Sequence, residues 1–177
     1  MSQQITLAQV AQLFIRSRGG LVMLAVALAE CLRFTMDKRG LIDALLILVV
    51  VAGWPVYEWL FHRYLLHEWT FLDFHRTHTR HHDNPTADNG LPDTYVIIAY
   101  FVVTITLWFF SLDLLMTINE AVLAMLTLYE FVHFSTHLNY RPMTRYGWRV
   151  RTNHLKHHNL DEHSRFSMLF PLWNRKG

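Results

Sequence analysis

The chain has 177 residues, 52% of them hydrophobic and only 17% charged, against roughly 25% charged in soluble domains. Its 16 Lys+Arg and 14 Asp+Glu leave a formal charge of +2, too small for a nucleic-acid partner, and no basic block is present. The lone cysteine, Cys31, excludes an internal disulfide framework and any cysteine-based zinc finger, while the apolar content excludes disorder.

A bilayer core of about 30 Å takes roughly 20 mostly apolar residues as a helix. Residues 19–35 form the weakest candidate span, because Glu30 and Arg33 interrupt it. An interfacial helix is the alternative there, and no small-residue cleavage site marks a signal peptide. Residues 41–61 fit a span, with Asp43 and Glu58 near its ends. Polar residues 83–94, with Pro85, Gly90 and Pro92, read as a loop. Residues 95–111 hold no charge, and residues 121–138 are apolar until Glu130. Short links at 36–40 and 112–120 would pair these four spans as two hairpins. The expected fold is therefore an all-α integral membrane protein, one domain over 1–177, with about four transmembrane helices. Its polar cap would comprise 62–94 and 133–177. That side holds most of the Lys and Arg, and 112–120 holds none, which places the cap in the cytoplasm; Lys38 and Arg39 argue mildly the other way. Trp54, Trp59, Trp69, Trp108 and Trp148 fall near span ends, as interfacial anchors do.

All 12 histidines lie in two windows, 62–82 and 133–163. They form HRYLLH (His62, His67), HRTHTRHH (His75, His78, His81, His82), HFSTH (His133, His137) and HLKHH (His154, His157, His158), with His163 following. Residues three and four apart share a helix face, so each H-x-x-H-H presents three imidazoles on one stripe. His133 and His137 make a further i, i+4 pair. His62 and His67 are about 140° apart on a regular α-helix, so they serve two metals or the helix ends between them. A proton relay would want the histidines inside the spans, and a storage tract would lack spacing. The pattern implies metal binding by nitrogen donors, with more ligands than one ion takes. Two ions with about five imidazoles each is the natural division. Glu58 and Glu130 lie on the faces of His62 and of His133 and His137, where a carboxylate would orient a ligand's other ring nitrogen. Asp83, Asp161 and Glu162 are weaker candidates. Arg63, Arg76 and Arg80 read as membrane-surface charge.

The order HX4H, HX2HH, HX3H, HX2HH resembles the fatty acid hydroxylase/sterol desaturase superfamily of membrane di-metal oxygenases, and looks most like its fatty acid 2-hydroxylase branch. The resemblance covers about residues 55–175, from E-x-x-x-H-R-Y-L-L-H to the tail HHNLDEHSRFSMLFPLWNR. It implies metal ligation by His62, His67, His78, His81, His82, His133, His137, His154, His157 and His158. His75 and His163 fall outside the ten, as supporting or surface residues. The implied activity is O2-dependent hydroxylation of a C–H bond in a fatty acyl chain or related apolar lipid. Zinc has no redox chemistry, so two iron ions are expected, with zinc an occupant of an isolated sample. No haem-binding HPGG motif occurs, which implies a separate electron donor, cytochrome b5-like or ferredoxin-like. The alternatives within the superfamily are a desaturase or a carotenoid or sterol oxidase, although carotenoid hydroxylases usually carry HX4H at the third cluster. From another class, a membrane metal transporter would need ligands along a path, and residues 95–111 offer none.

Overall fold

The computed structural model describes residues 4–36, 39–71, 73–85 and 94–171. Their chain order is α1 (Leu7–Arg16), α2 (Gly19–Met36), α3 (Leu41–Leu60), α4 (Asp73–Asp83), α5 (Thr94–Phe109), α6 (Asp113–His137) and α7 (Arg145–Asn159). The helix α3 runs on without a break into a π-helical segment, Phe61–Glu68. Among the described residues there is no strand, only an isolated bridge between Ile5 and Tyr140. Most of the expected 83–94 loop, with Gly90 and Pro92, lies outside the described residues, as does Lys38.

Three helical stretches are long and apolar enough to cross a membrane: Gly19–Met36, Leu41–Glu68 and Asp113–His137. The fourth expected span, α5, is apolar but shorter; its 16 residues rise about 24 Å against a hydrocarbon core of about 30 Å. The bundle is built on α6, which packs against α2, α3 and α5. Ala25 and Ala29 let α2 approach Met116 and Leu123 closely, the small-residue packing that membrane helices favour.

The charges that interrupt residues 19–35 are paired. Arg33 is fully buried, and its guanidinium donates to Asp43 Oδ1 at 2.7 Å. The Thr117 hydroxyl donates to the same oxygen. Glu30 faces outward and accepts from Arg39 at 2.9 Å, and Arg39 also reaches Glu120 at 3.3 Å. These pairs correct the expected 112–120 loop, most of which forms the first turns of α6. Its polar residues are satisfied inside the bundle, Thr117 by Asp43, Asn119 by Thr104 and Glu120 by Arg39. Paired in this way, they no longer favour a solvated loop.

Trp54 is no interfacial anchor either: it is buried against Met125 and Leu169. Helix α1 lies outside the expected spans. A capping box between Thr6 and Gln9 starts it, and Val10 and Phe14 bury its inner face. Phe14 packs edge-on against Phe131 and beside Phe134 of α6. A side chain at Gly19 would collide with the Phe14 ring, so glycine is what lets α2 begin there. With Ile5 N donating to Asn139 O, the N-terminal segment is pinned to the end of α6 that carries His133 and His137.

Candidate metal centre

Ten imidazoles converge in two groups of five, each with ring nitrogens mutually within 4.8 Å: His62, His67, His78, His82 and His157, and His81, His133, His137, His154 and His158. The π-helical turn explains the first pair. In a π-helix the repeat lengthens to i, i+5, closed here by Trp69 N to Tyr64 O at 2.7 Å. His62 and His67 thereby face one way, with ring centroids 5.2 Å apart. This corrects the expectation, built on α-helical geometry, that they serve different ions or that the helix ends between them.

The two H-x-x-H-H stripes divide rather than act whole. On α4, His78 and His82 join the first group and His81 the second; on α7, His154 and His158 join the second group and His157 the first. An i, i+4 pair separates from the residue between because the three imidazoles fan across the helix face. Each group thus takes a pair from the end of a membrane helix, a pair from one short helix and a single imidazole from the other.

The nitrogen geometry suits cations. A backbone carbonyl only accepts, so His62 Nδ1, 2.7 Å from Phe166 O, and His157 Nδ1, 2.7 Å from Ser164 O, must carry their ring protons. Their Nε2 atoms are left as bare lone pairs. Around His78 Nε2 stand the Nε2 atoms of His62, His67 and His82 at 3.0–3.1 Å. One N–H cannot serve three such neighbours. In the second group His137 Nε2 lies 3.1 Å from His81 Nε2 and 2.9 Å from His154 Nε2. Crowded lone pairs without enough protons are the donor set of a metal site. Burial and neighbouring imidazoles keep the rings neutral: both push His78, His154 and His158 well down, and His82 to about 3. Burial also lowers His157 to about 4, although the Ser164 carbonyl pulls it upward.

An apolar cavity runs between α3, α5 and α6 under α4. Trp54, Phe61, Leu66, Phe74, Tyr100 and Leu126 form much of its wall, which also includes His78 and His133, one histidine from each group, and the acidic residues Glu58 and Glu130.

A model of the fatty acid hydroxylase family matches residues 47–176. The chain belongs to the fatty acid hydroxylase family. No curated protein and no solved structure matches it significantly. The matched region contains every histidine of both groups.

Within this member of the fatty acid hydroxylase family, Glu58 and Glu130 do not hydrogen-bond to the histidines they were expected to orient. Glu58 serves the backbone rather than His62. Its Oε1 accepts the N–H groups of Met168 and, at 2.9 Å, Leu169. Glu130 Oε2 is 3.9 Å from His133 Nδ1, beyond hydrogen-bonding distance, and neither atom has a hydrogen-bond partner among the described residues. Glu162 stands 3.8 Å from His82 Nδ1, also too far for a hydrogen bond. His75 lies outside both groups and its Nδ1 donates to Leu66 O at 2.9 Å. His163 is mostly exposed, 3.8 Å from Glu162. Arg63, Arg76 and Arg80 bond to Glu68, Asp73 and Thr77.

Sequence reasoning missed three supports of the site. Segment 164–169 supplies the carbonyls under His62 and His157. Asn153 donates to Ser167 O at 3.1 Å. Arg151 donates to the carbonyls of Thr136 at 2.6 Å and Leu138 at 2.9 Å, closing the end of α6 behind His137. The acceptor in every case is a backbone carbonyl, which leaves no mark in a sequence.

Proposed function

We propose that this chain is a membrane-bound di-iron oxygenase that hydroxylates a C–H bond of a fatty acyl chain or related apolar lipid. The observation that supports it best is the mostly apolar cavity whose wall includes one histidine of each group. The ten imidazoles would hold two iron ions, five to each. Bound iron supplies the reductive activation of dioxygen needed to oxidise an unactivated C–H bond. One oxygen atom enters the lipid and the other leaves as water, with two electrons from a separate donor, cytochrome b5-like or ferredoxin-like, and two protons from solvent.

The chain's own residues do the rest. Trp54, Phe61, Leu66, Phe74 and Leu126 bind the acyl chain and exclude water along its length. Rigid ring placement keeps the substrate carbon close to both groups, which contributes to the rate through positioning. The Phe166 and Ser164 carbonyls hold the Nδ1 protons of His62 and His157, leaving Nε2 for metal. We place the cap in the cytoplasm, where the basic residues of 62–94 and 139–177 gather and from which electrons would arrive.

The test is expression of the full chain and of His157→Ala in a host whose extracted lipids are compared by mass. A gain of one oxygen on acyl chains with the unmutated chain alone supports the reading. An unchanged lipid profile alongside metal flux across vesicles sinks it.

A further inference from the structure

The two histidine groups are unequally supported. Segment 164–169 is buried along most of its length and lies against the first group. Its carbonyls at Ser164 and Phe166 take the Nδ1 protons of His157 and His62. The Phe166 ring packs edge-on on His62, His67 and His157 at 5.4–5.8 Å, all members of that group. The segment is itself tied down: Glu58 accepts from Met168 and Leu169, and Asn153 donates to Ser167 O. The second group lacks such a strap at two of its members. Among the described residues, His133 and His158 have no hydrogen-bond partner at either ring nitrogen, whereas in the first group His82 lacks one at Nδ1 but has its Nε2 3.1 Å from His78 Nε2. The carboxylate of Glu130 stays 3.9 Å from His133.

Fixing a ligand's tautomer and ring orientation before the ion arrives removes ordering cost from binding. We infer that the first group is the tighter of the two metal sites and fills first, and that Glu58 is its positioning residue, acting through the 164–169 strap. The inference rests on the groups being metal sites, as proposed above. It assigns to a carboxylate in the membrane helix a duty toward an ion it does not ligate.

The experiment is a Co2+ titration of the full chain in detergent after stripping with chelator, followed by visible absorption and by metal counting. Two steps are expected, the first at least about tenfold tighter. His157→Asn should remove the first step and His154→Asn the second. Glu58→Leu should weaken the first step by about 10–100-fold and change the second by less than about threefold. Glu58→Gln should retain both steps, because its amide oxygen still accepts the two backbone N–H groups. Two steps of equal affinity, the reverse assignment by the asparagine variants, or equal weakening of both steps by Glu58→Leu would each overturn the inference. If Glu58→Leu fails to fold by circular dichroism, Asn153→Ala decides. Weakening of the first step alone supports the inference, and any other result overturns it. Failure of the unmutated chain to bind Co2+ at all would instead remove the metal reading beneath it.

Discussion

His62 and His67 stand five residues apart in sequence, yet their rings meet at 5.2 Å on one side of a continuous helix. Only the longer π repeat allows this, and it puts two imidazoles on one side of the end of a membrane helix. Replacing His67 with alanine should lower bound metal from about two ions per chain to about one and reduce lipid oxygenation at least about 10-fold, in keeping with the cost of disturbing ligand sets. Metal analysis of the purified variant beside product mass spectrometry checks both.

Blocking the cavity should separate substrate access from metal binding. Leu126 lines the passage without belonging to either histidine group. Leu126→Trp should cut hydroxylation of long acyl chains at least about tenfold while metal content stays unchanged, because steric exclusion acts on substrate alone. A fall in metal content would show that the passage and the metal sites are one packed unit.

Acid should loosen the site, and the sign follows from the direction of the shifts. Burial lowers His82 to about 3 and His157 to about 4 from an ordinary 6.5. Above pH 6.5 both states of the chain carry these rings neutral. Between 6.5 and about 4 the unfolded chain takes up protons that the folded chain refuses, so folded stability falls as pH falls through that range. The unfolding midpoint of metal-free protein should therefore drop steadily from about pH 7 to about pH 4. A flat profile would mean that these rings are open to water.

The Arg33–Asp43 pair predicts a non-additive response. Arg33→Leu alone leaves Asp43 and Thr117 facing an apolar side chain inside the bundle, and should lower the melting temperature in detergent by roughly 5–10 °C. The double replacement Arg33→Leu with Asp43→Leu should recover most of that loss, because paired apolar residues can stand in for a buried ion pair.

Arg151 offers a test of how the end of α6 is held. Arg151→Met frees the carbonyls of Thr136 and Leu138 and should cost about 1.5–3 kcal/mol. Denaturant unfolding measures it.

Much of the candidate centre is legible in the sequence because a metal site would impose residue type and helical spacing together. Spacing alone marks His78, His81 and His82, and likewise His154, His157 and His158. Their division between groups is not legible, since it depends on how α4 and α7 face each other. The 62–67 arm misleads because α-helical geometry is the default for spacing, and a π turn has no composition of its own. Helix α6 reads as shorter than it is because Thr117, Asn119 and Glu120 look like loop residues until their partners Asp43, Thr104 and Arg39 are placed. Glu58 stands out for its spacing to His62, but its partners lie 110 and 111 residues away.

The exchange of single imidazoles between α4 and α7 has a mechanical consequence. Neither half of the chain contains a complete group: residues 62–82 lack His157, and residues 133–158 lack His81. Each ion would therefore tie the first half of the protein to the second, closing loops of many tens of residues. A chain whose only thiol is Cys31 cannot cross-link itself through sulfur. Bound ions would take that part, so the loaded protein should resist unfolding as a cross-linked chain does, and chelation should release both halves together.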